Sequence, residues 1–552
     1  MTAEAPFKAS SPHLFPMTIE YETDILVIGT GGAGLRAAAE AHEKGARVLL
    51  VSKSRAGYNN CTIMAGAGYL AAVGGMTPEE HREKTLSVGK GVNDPKLVEV
   101  LTREGGERVL ELEKYGLVVN VGWGGIHVGD AGTRLGQGIT LPMVKYLKGR
   151  GVPFVDNVVV TTLLKDGDRV VGAAGYSGDE KQPVVFSAKA VVLATGGAGA
   201  LYKRTDCPLK TTGDGYSLAY HAGARLRDME FVQFFPLALA EPGVPPLLVD
   251  GALVEQGKII NVMGEEIPVK HKVTERPFIA RSRDLLSRAM MREILEGGGV
   301  EGAVLIDARE VMKTAKPGDS FGMGSYEFYR DRVQAHERPF RVAPLSHFCM
   351  GGVVANTWGE TDVCGLFAAG EVVGGAHGAN RHGGNALTEV TVFGARAGAR
   401  VAEYVKGVEQ ADAGPLAEAE FERYGRIAKR GHGFRPEDLM DALRETMWEK
   451  AGIVRDSYML VEAYEKVQGL REDSRQVLAQ QGKPMVAALE FQMALDAAEM
   501  IIRAAMERKE SRGAHYRRDH PWEDPQWART IIVSKKGGSM QLTTVRLGEA
   551  FK

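Results

Sequence analysis

"TDILVIGTGGAGLRAAAEAHEKGARVLLVSKS", residues 23–54, decides the fold. Ile25–Ile28 is an unbroken apolar run, as a parallel strand covered on both faces requires. Gly29, Gly31 and Gly34 then follow in G-x-G-x-x-G spacing. That pattern is weak alone; here a strand leads into it and an alanine-rich helix, ending near Gly45, leads out. Gly29 makes the turn. Gly31, with Gly32 beside it, lets a pyrophosphate approach the backbone, and Gly34 lets helix and strand close up. The start of the helix offers amide donors and the positive end of its dipole to phosphate. Arg47–Val51 reads as the second strand of this α/β, Rossmann-like unit.

The end of the second strand carries Ser52 and Lys53, where an NAD site would place an acidic residue for the ribose. Two further buried strands close on "ATGG" (residues 194–197, with Thr195 and Gly196) and "AAGE" (368–371). They resemble the returning strands of two-part FAD-binding domains. With a single good fingerprint, one dinucleotide is expected, and FAD is favoured over NAD.

A chain of 552 residues exceeds one compact core, so two or three domains are expected. The prolines and mixed charge of residues 237–344 suggest an insertion, and the chain turns helical from about residue 412. The expected division is an arm (1–22), a first FAD-binding part (23–236), a cap (237–344), a second FAD-binding part (345–411) and a helical C-terminal domain with a tail (412–552). A net charge of -2 gives no broad electrostatic footprint for nucleic acid. No apolar run reaches about 18 residues, so no spanning helix is expected. The N-terminus lacks the basic and apolar regions of a secretory signal, and a cytoplasmic protein is the simplest reading. Cys61, Cys207, Cys349 and Cys364 are scattered without a C-x-x-C pair. This argues against a disulfide framework or an iron–sulfur cluster held by this chain, and no metal site is expected.

"GGAHGANRHGGNALTEV" (374–390) sets Arg381 and two histidines on a glycine-rich support. Such a segment suits close backbone approach to a ligand while Arg381 grips an anion. It belongs to an ordered series: "DMEFVQFFP", "SRDLLSRA", "HFCMGG", "GLFAAGEVVGGAHGANRHGGNALTEVTVFGARAG" and "ESRGAHYRRDHPWED". Over roughly residues 22 to 532 the series resembles the flavoprotein subunits of succinate dehydrogenases and fumarate reductases, whose superfamily includes the L-aspartate oxidases. The resemblance implies a Rossmann-like FAD-binding domain, an inserted α+β cap and a helical C-terminal domain. It implies that Glu371 binds FAD ribose or ribitol hydroxyls, that Asp214 and Leu387 contact the cofactor, and that the segment Asn385 to Thr388 comes up to the flavin ring. Arg381 and His347 would share a substrate carboxylate, and Arg283 would pass a proton to the substrate carbon. A guanidinium is a poor acid and needs reloading through a relay; Asp250 stands at the first relay position.

The sequence also departs from the family. Leu253 stands where the relay arginine is expected, and Val249 where a threonine is. Phe235 and Leu237 replace the histidine and threonine of an H-P-T motif, and His382 stands where a residue such as leucine is expected. The replacements by phenylalanine, valine and leucine suggest a pocket rebuilt for an apolar group. No histidine follows the second strand at the flavin-tethering place; Asn60 or Cys61 falls there, so noncovalent FAD is expected. The expected activity is hydride transfer between flavin and a carbon next to a carboxylate. The expected partner is an iron–sulfur subunit, and membrane association would come only through partners. An L-aspartate-oxidase-like enzyme and an electron-transfer flavoprotein without turnover are the alternatives.

Overall fold

The computed structural model describes residues 18–129 and 136–551. Its central sheet runs in the order Phe154–Val155, Val48–Val51, Ile19–Ile28, Gln182–Leu193, Arg169–Ser177, Val158–Asp166. Ile19–Ile28 lies parallel to both of its neighbours, and Leu366–Ala368 adds a further parallel strand beside Val191–Leu193. Ile25, Leu26 and Val27 are fully buried, which is why this stretch carries no alternation. The strand begins at Ile19, so the last residues assigned to an arm belong to the sheet; residues 1–17 lie outside the described residues.

The first helix, Gly32–Glu43, stands against the sheet because two residues lack side chains. Gly29 has φ +114°, and a Cβ there would strike the carbonyl of Ala194; one on Gly34 would strike the carbonyl of Gly29. The same helix packs against the long helix Asn385–Tyr404, whose Gly398 admits the Ala37 carbonyl.

The cap is a four-stranded antiparallel sheet, ordered Val232–Leu239, Phe340–Cys349, Val304–Asp307, Lys258–Ile260, with helix Arg283–Leu295 on it. Its apolar core includes Leu237, Val249, Leu253, Leu286 and Met290. Val232–Leu239 and Phe340–Cys349 run across the expected boundaries, 236/237 and 344/345. A paired double strand therefore joins cap and FAD-binding domain, and the cleft between them is built on it.

The C-terminal region holds helices such as Pro436–Lys450, Ser457–Ser474 and Lys483–Glu507, but it does not end as a helical unit. A hairpin, Arg529–Lys536 with Ser539–Arg546, pairs with Leu226–Arg227, which pairs in turn with Gly352–Val353. Buried Arg508 bonds Glu230 at 2.5 Å and Glu510 at 3.0 Å, so its charge is compensated where the tail meets the rest of the chain.

Candidate active site

One cleft runs between the central sheet and the cap. At its first end the wall is Gly29, Gly31, Ser52, Lys53, Thr195, Gly196 and Asp214. Gly31 lines the cavity, and a Cβ there would be in ordinary contact with Asn60 and Thr62, 3.7 Å away. The Gly32 amide is already taken, donating to Thr62 Oγ1 at 3.0 Å. Lys53 Nζ lies 2.5 Å from Asp214 Oδ2 and 3.1 Å from Glu490 Oε1. Burial works against its charge, but the two carboxylates outweigh it and raise its pKa. Thr195 Oγ1 is buried with no partner, a hydroxyl free for a ligand. Glu371 Oε1 accepts the Cys349 amide at 2.9 Å, and burial pushes its carboxyl up to about 7. A glycine-lined turn, an unpaired hydroxyl and a protonatable acid suit a dinucleotide with ribose and ribitol hydroxyls, so the residues present fit FAD.

The start of the long helix reaches this wall through Gly383, Gly384, Ala386 and Leu387. Asn385 does not. Its Oδ1 lies 2.7 Å from His81 Nε2 and its Nδ2 donates to Thr85 Oγ1 at 2.9 Å. The expected cofactor contact at Asn385 is therefore corrected. Its side chain anchors the helix from behind, because a buried amide must spend its donors and acceptor where partners are. Gly34 is likewise a packing residue away from the cavity wall.

At the other end stand Arg283, His347, Arg381 and Asp250. Their hub is Gln233, which the motif reading missed. Gln233 Oε1 accepts from Arg283 Nη1 at 3.1 Å and from Arg381 Nε at 3.2 Å. Its amide nitrogen donates to Asn380 Oδ1 at 2.6 Å and to the Arg381 carbonyl at 2.9 Å. Arg381 Nη2 lies 2.8 Å from His347 Nε2, and His347 Nδ1 lies 2.7 Å from Asp206 Oδ2. A guanidinium can only donate, so Nε2 is the acceptor and Nδ1 carries the proton to Asp206. Burial pushes Arg283 and Arg381 down from the ordinary guanidinium value, and for Arg381 the charge of Arg283 adds to the effect. Among the described residues neither has a carboxylate at ion-pair distance. Two buried cations thus share one neutral acceptor.

The far wall is apolar, but its composition differs from the expectation. Phe235 lines the cleft with Leu248 and Met323. Val249, Leu237 and Leu253 are fully buried in the cap core and do not reach it. In an edge segment that alternates, Leu248 faces the cavity while its neighbour faces the core. The Phe235 ring centre lies 5.2 Å from Arg283 Cζ and 5.6 Å from the His347 ring. Asp250 lines the cleft and accepts the Gly251 amide at 2.7 Å; its charge also acts on Arg283. His382 is spent locally, its Nδ1 at 2.8 Å from the Gly383 carbonyl.

Gln233 and Asp206 were legible only as oddities: a glutamine in a strand buried along its whole length, and an acid in "TDCP".

Residues 24–387 match the model of an FAD binding domain, and residues 440–550 match that of the fumarate reductase flavoprotein C-terminus. The chain belongs to the fumarate reductase/succinate dehydrogenase flavoprotein family. It is 35% identical to a subunit of the CoM/CoB fumarate reductase of Methanothermobacter marburgensis, over 94% of this chain and 98% of the relative. It is 32% identical to an L-aspartate oxidase of Streptomyces coelicolor, over 92% of this chain and 91% of the relative. Its fold superposes on FrdA of the E. coli quinol fumarate reductase with a TM-score of 0.85 and 26% identity, over 96% of this chain and 97% of that one. As a member of this family it is an FAD-dependent oxidoreductase acting on CH–CH bonds. No helix among the described residues is long and apolar enough to cross a membrane.

Proposed function

We propose that this flavoprotein interconverts a C–C single and double bond next to a carboxylate, on a substrate with one carboxylate and an apolar far end. The observation that carries the reading is the pair of buried guanidiniums, Arg283 and Arg381, joined through Gln233 and facing Phe235, Leu248 and Met323. Arg381 and His347 would take the carboxylate, Arg381 in a two-pronged hydrogen bond. Held there, the substrate places its tail on the Phe235 wall, where a second carboxylate would find no donor. FAD, held noncovalently by the Gly29–Gly34 turn, Lys53, Thr195, Asp214 and Glu371, supplies the two-electron hydride chemistry. Arg283 delivers or removes the proton, and Asp250 reloads it from the cleft mouth. Leu253, at the expected relay arginine, is buried in the cap core and offers no relay group.

An iron–sulfur protein is the proposed electron partner, because four scattered cysteines offer no cluster site on this chain. The relatives named as one subunit of a CoM/CoB fumarate reductase and as part of a quinol fumarate reductase support a multi-subunit setting. The resemblance to an L-aspartate oxidase supports a second reading, amino-acid oxidation with oxygen as acceptor. Anaerobic titration of the reduced holoenzyme with a series of 2-enoates, followed by flavin absorbance, tests the first. Reoxidation by an apolar 2-enoate is expected. Flavin reduction by L-aspartate with oxygen uptake, and no response to enoates, would replace it.

A further inference from the structure

We infer that Asp206 is a positioning residue that makes carboxylate binding at His347 and Arg381 take up a proton. The inference rests on reading that site as a carboxylate site. In the free protein His347 stands between an acid and a base: Nδ1–H donates to Asp206 Oδ2 at 2.7 Å, and the Nε2 lone pair accepts from Arg381 Nη2 at 2.8 Å. The ring is half-buried and its orientation is fixed from both sides.

The groups facing it come from four elements. Asp206 and Cys207 lie on the loop after residue 201, Arg381 on the loop before the long helix, Arg283 on the first turn of its cap helix, and Gln233 and Phe235 on the strand alongside. Gln233 and Phe235 carry no charge, and the Cys207 thiol is kept protonated by the Cys61 thiol and by burial. Burial and the two guanidiniums press His347 toward the neutral form, and Asp206 alone opposes them.

An incoming carboxylate changes this balance. Nη2 has a second N–H for a carboxylate, and a carboxylate shared by Arg381 and His347, as proposed, turns an oxygen to the Nε2 lone pair. Two acceptors repel. A proton on Nε2 converts the contact into a charge-assisted hydrogen bond. The proton comes from solvent and forms only the N–H bond. The carboxylate neutralises the local positive field while Asp206 remains on Nδ1–H, so both carboxylates stabilise one imidazolium between them. The histidine pKa is then low in the free enzyme and raised in the complex. Between those two values binding takes up one proton and affinity falls about tenfold per pH unit; above the higher one the histidine is neutral in both states and affinity levels off. A neutral group at position 206 could orient the ring but could not supply this charge.

The test uses FAD-loaded enzyme and pivalate, a carboxylate with no hydrogen on the carbon beside the carboxyl group and hence no CH–CH bond there to dehydrogenate. Binding is followed by the flavin spectrum, and proton uptake by an indicator dye in weak buffer, from about pH 6 to about pH 8.5. Wild type should take up close to one proton per pivalate in part of this range and bind more weakly as pH rises. Asp206→Asn, whose side-chain carbonyl can still accept Nδ1–H, should lose most of the uptake, bind about tenfold more weakly near neutrality and show a flatter pH profile. Asp206→Glu should restore both. Wild-type binding without proton uptake overturns the inference even if every variant fails to fold. Equal uptake in Asp206→Asn also overturns it. If pivalate and the enoates do not bind wild type at all, the carboxylate-site reading falls with it.

Discussion

The two ends of the cleft handle charge in opposite ways. At the cofactor end Lys53 is matched by Asp214 and Glu490, so that wall is electrostatically complete before any ligand arrives. At the substrate end Arg283 and Arg381 share a neutral amide oxygen and have no carboxylate partner among the described residues. The first end needs only to hold a tightly bound cofactor. In the proposed function the second binds and releases an anion, so its attraction is left for the substrate to satisfy. A buried cation without a partner costs stability in the free enzyme, and binding energy recovers that cost.

Removing the uncompensated cation should break the second end and spare the first. Arg381→Lys replaces the two-pronged fork with a point charge. Turnover of an enoate, measured as kcat/KM, should fall by about 100-fold or more while flavin content stays at the wild-type level. Near-normal turnover would make Arg381 a loop-bridging residue. Removing the compensated cation should do the reverse. Lys53→Met leaves Asp214 and Glu490 facing each other, and unfolding of the flavin-free protein should show about 2 kcal/mol lost, less than for a fully buried pair because Lys53 is partly exposed. Bound flavin should fall with it, while the residual holoenzyme keeps its substrate KM.

Gln233→Glu sharpens the contrast by making the substrate end resemble the cofactor end. A carboxylate between the two arginines would satisfy both before substrate arrives. The KM for a carboxylate substrate should rise about tenfold or more, with a smaller fall in kcat. An unchanged KM would mean that Gln233 is not the hub of the anion site. The smallest effect concerns the apolar wall. Phe235→His with Leu248→Thr introduces donors facing the cleft, and the kcat/KM ratio of fumarate to a monocarboxylic enoate should rise several-fold, within the range one pocket contact supplies. Val249→Thr should leave that ratio unchanged, because Val249 is buried in the cap core. A shift in preference from Val249→Thr would contradict the wall assignment.

The cofactor end was readable because its determinants are local. A strand, three spaced glycines and a helix form one continuous segment, and the close approach of Gly34 to the Gly29 carbonyl lies within that unit. The dinucleotide turn follows from these few residues; FAD was favoured over NAD from Ser52, Lys53 and the segments 194–197 and 368–371. At the substrate end the motif residues Arg283, His347 and Arg381 could be named, but not what joins them. Gln233 meets Arg283 and Arg381 across 50 and 148 residues of chain, and Asp206 meets His347 across 141. Side-chain direction was equally hidden. Asn385 looked like a cofactor residue and turned to His81, and Val249 looked like a pocket residue while Leu248 took the wall.

The amino-acid sequence by itself determined the Rossmann-like unit, because hydrophobic patterning and glycine spacing act between near neighbours, while FAD and the family were legible through motifs that resemble a known family. Only the tertiary structure decided which polar groups are partnered and which are left for a ligand. That depends on distant strands and helices meeting within hydrogen-bond distance, where an ångström separates a satisfied amide from a binding site.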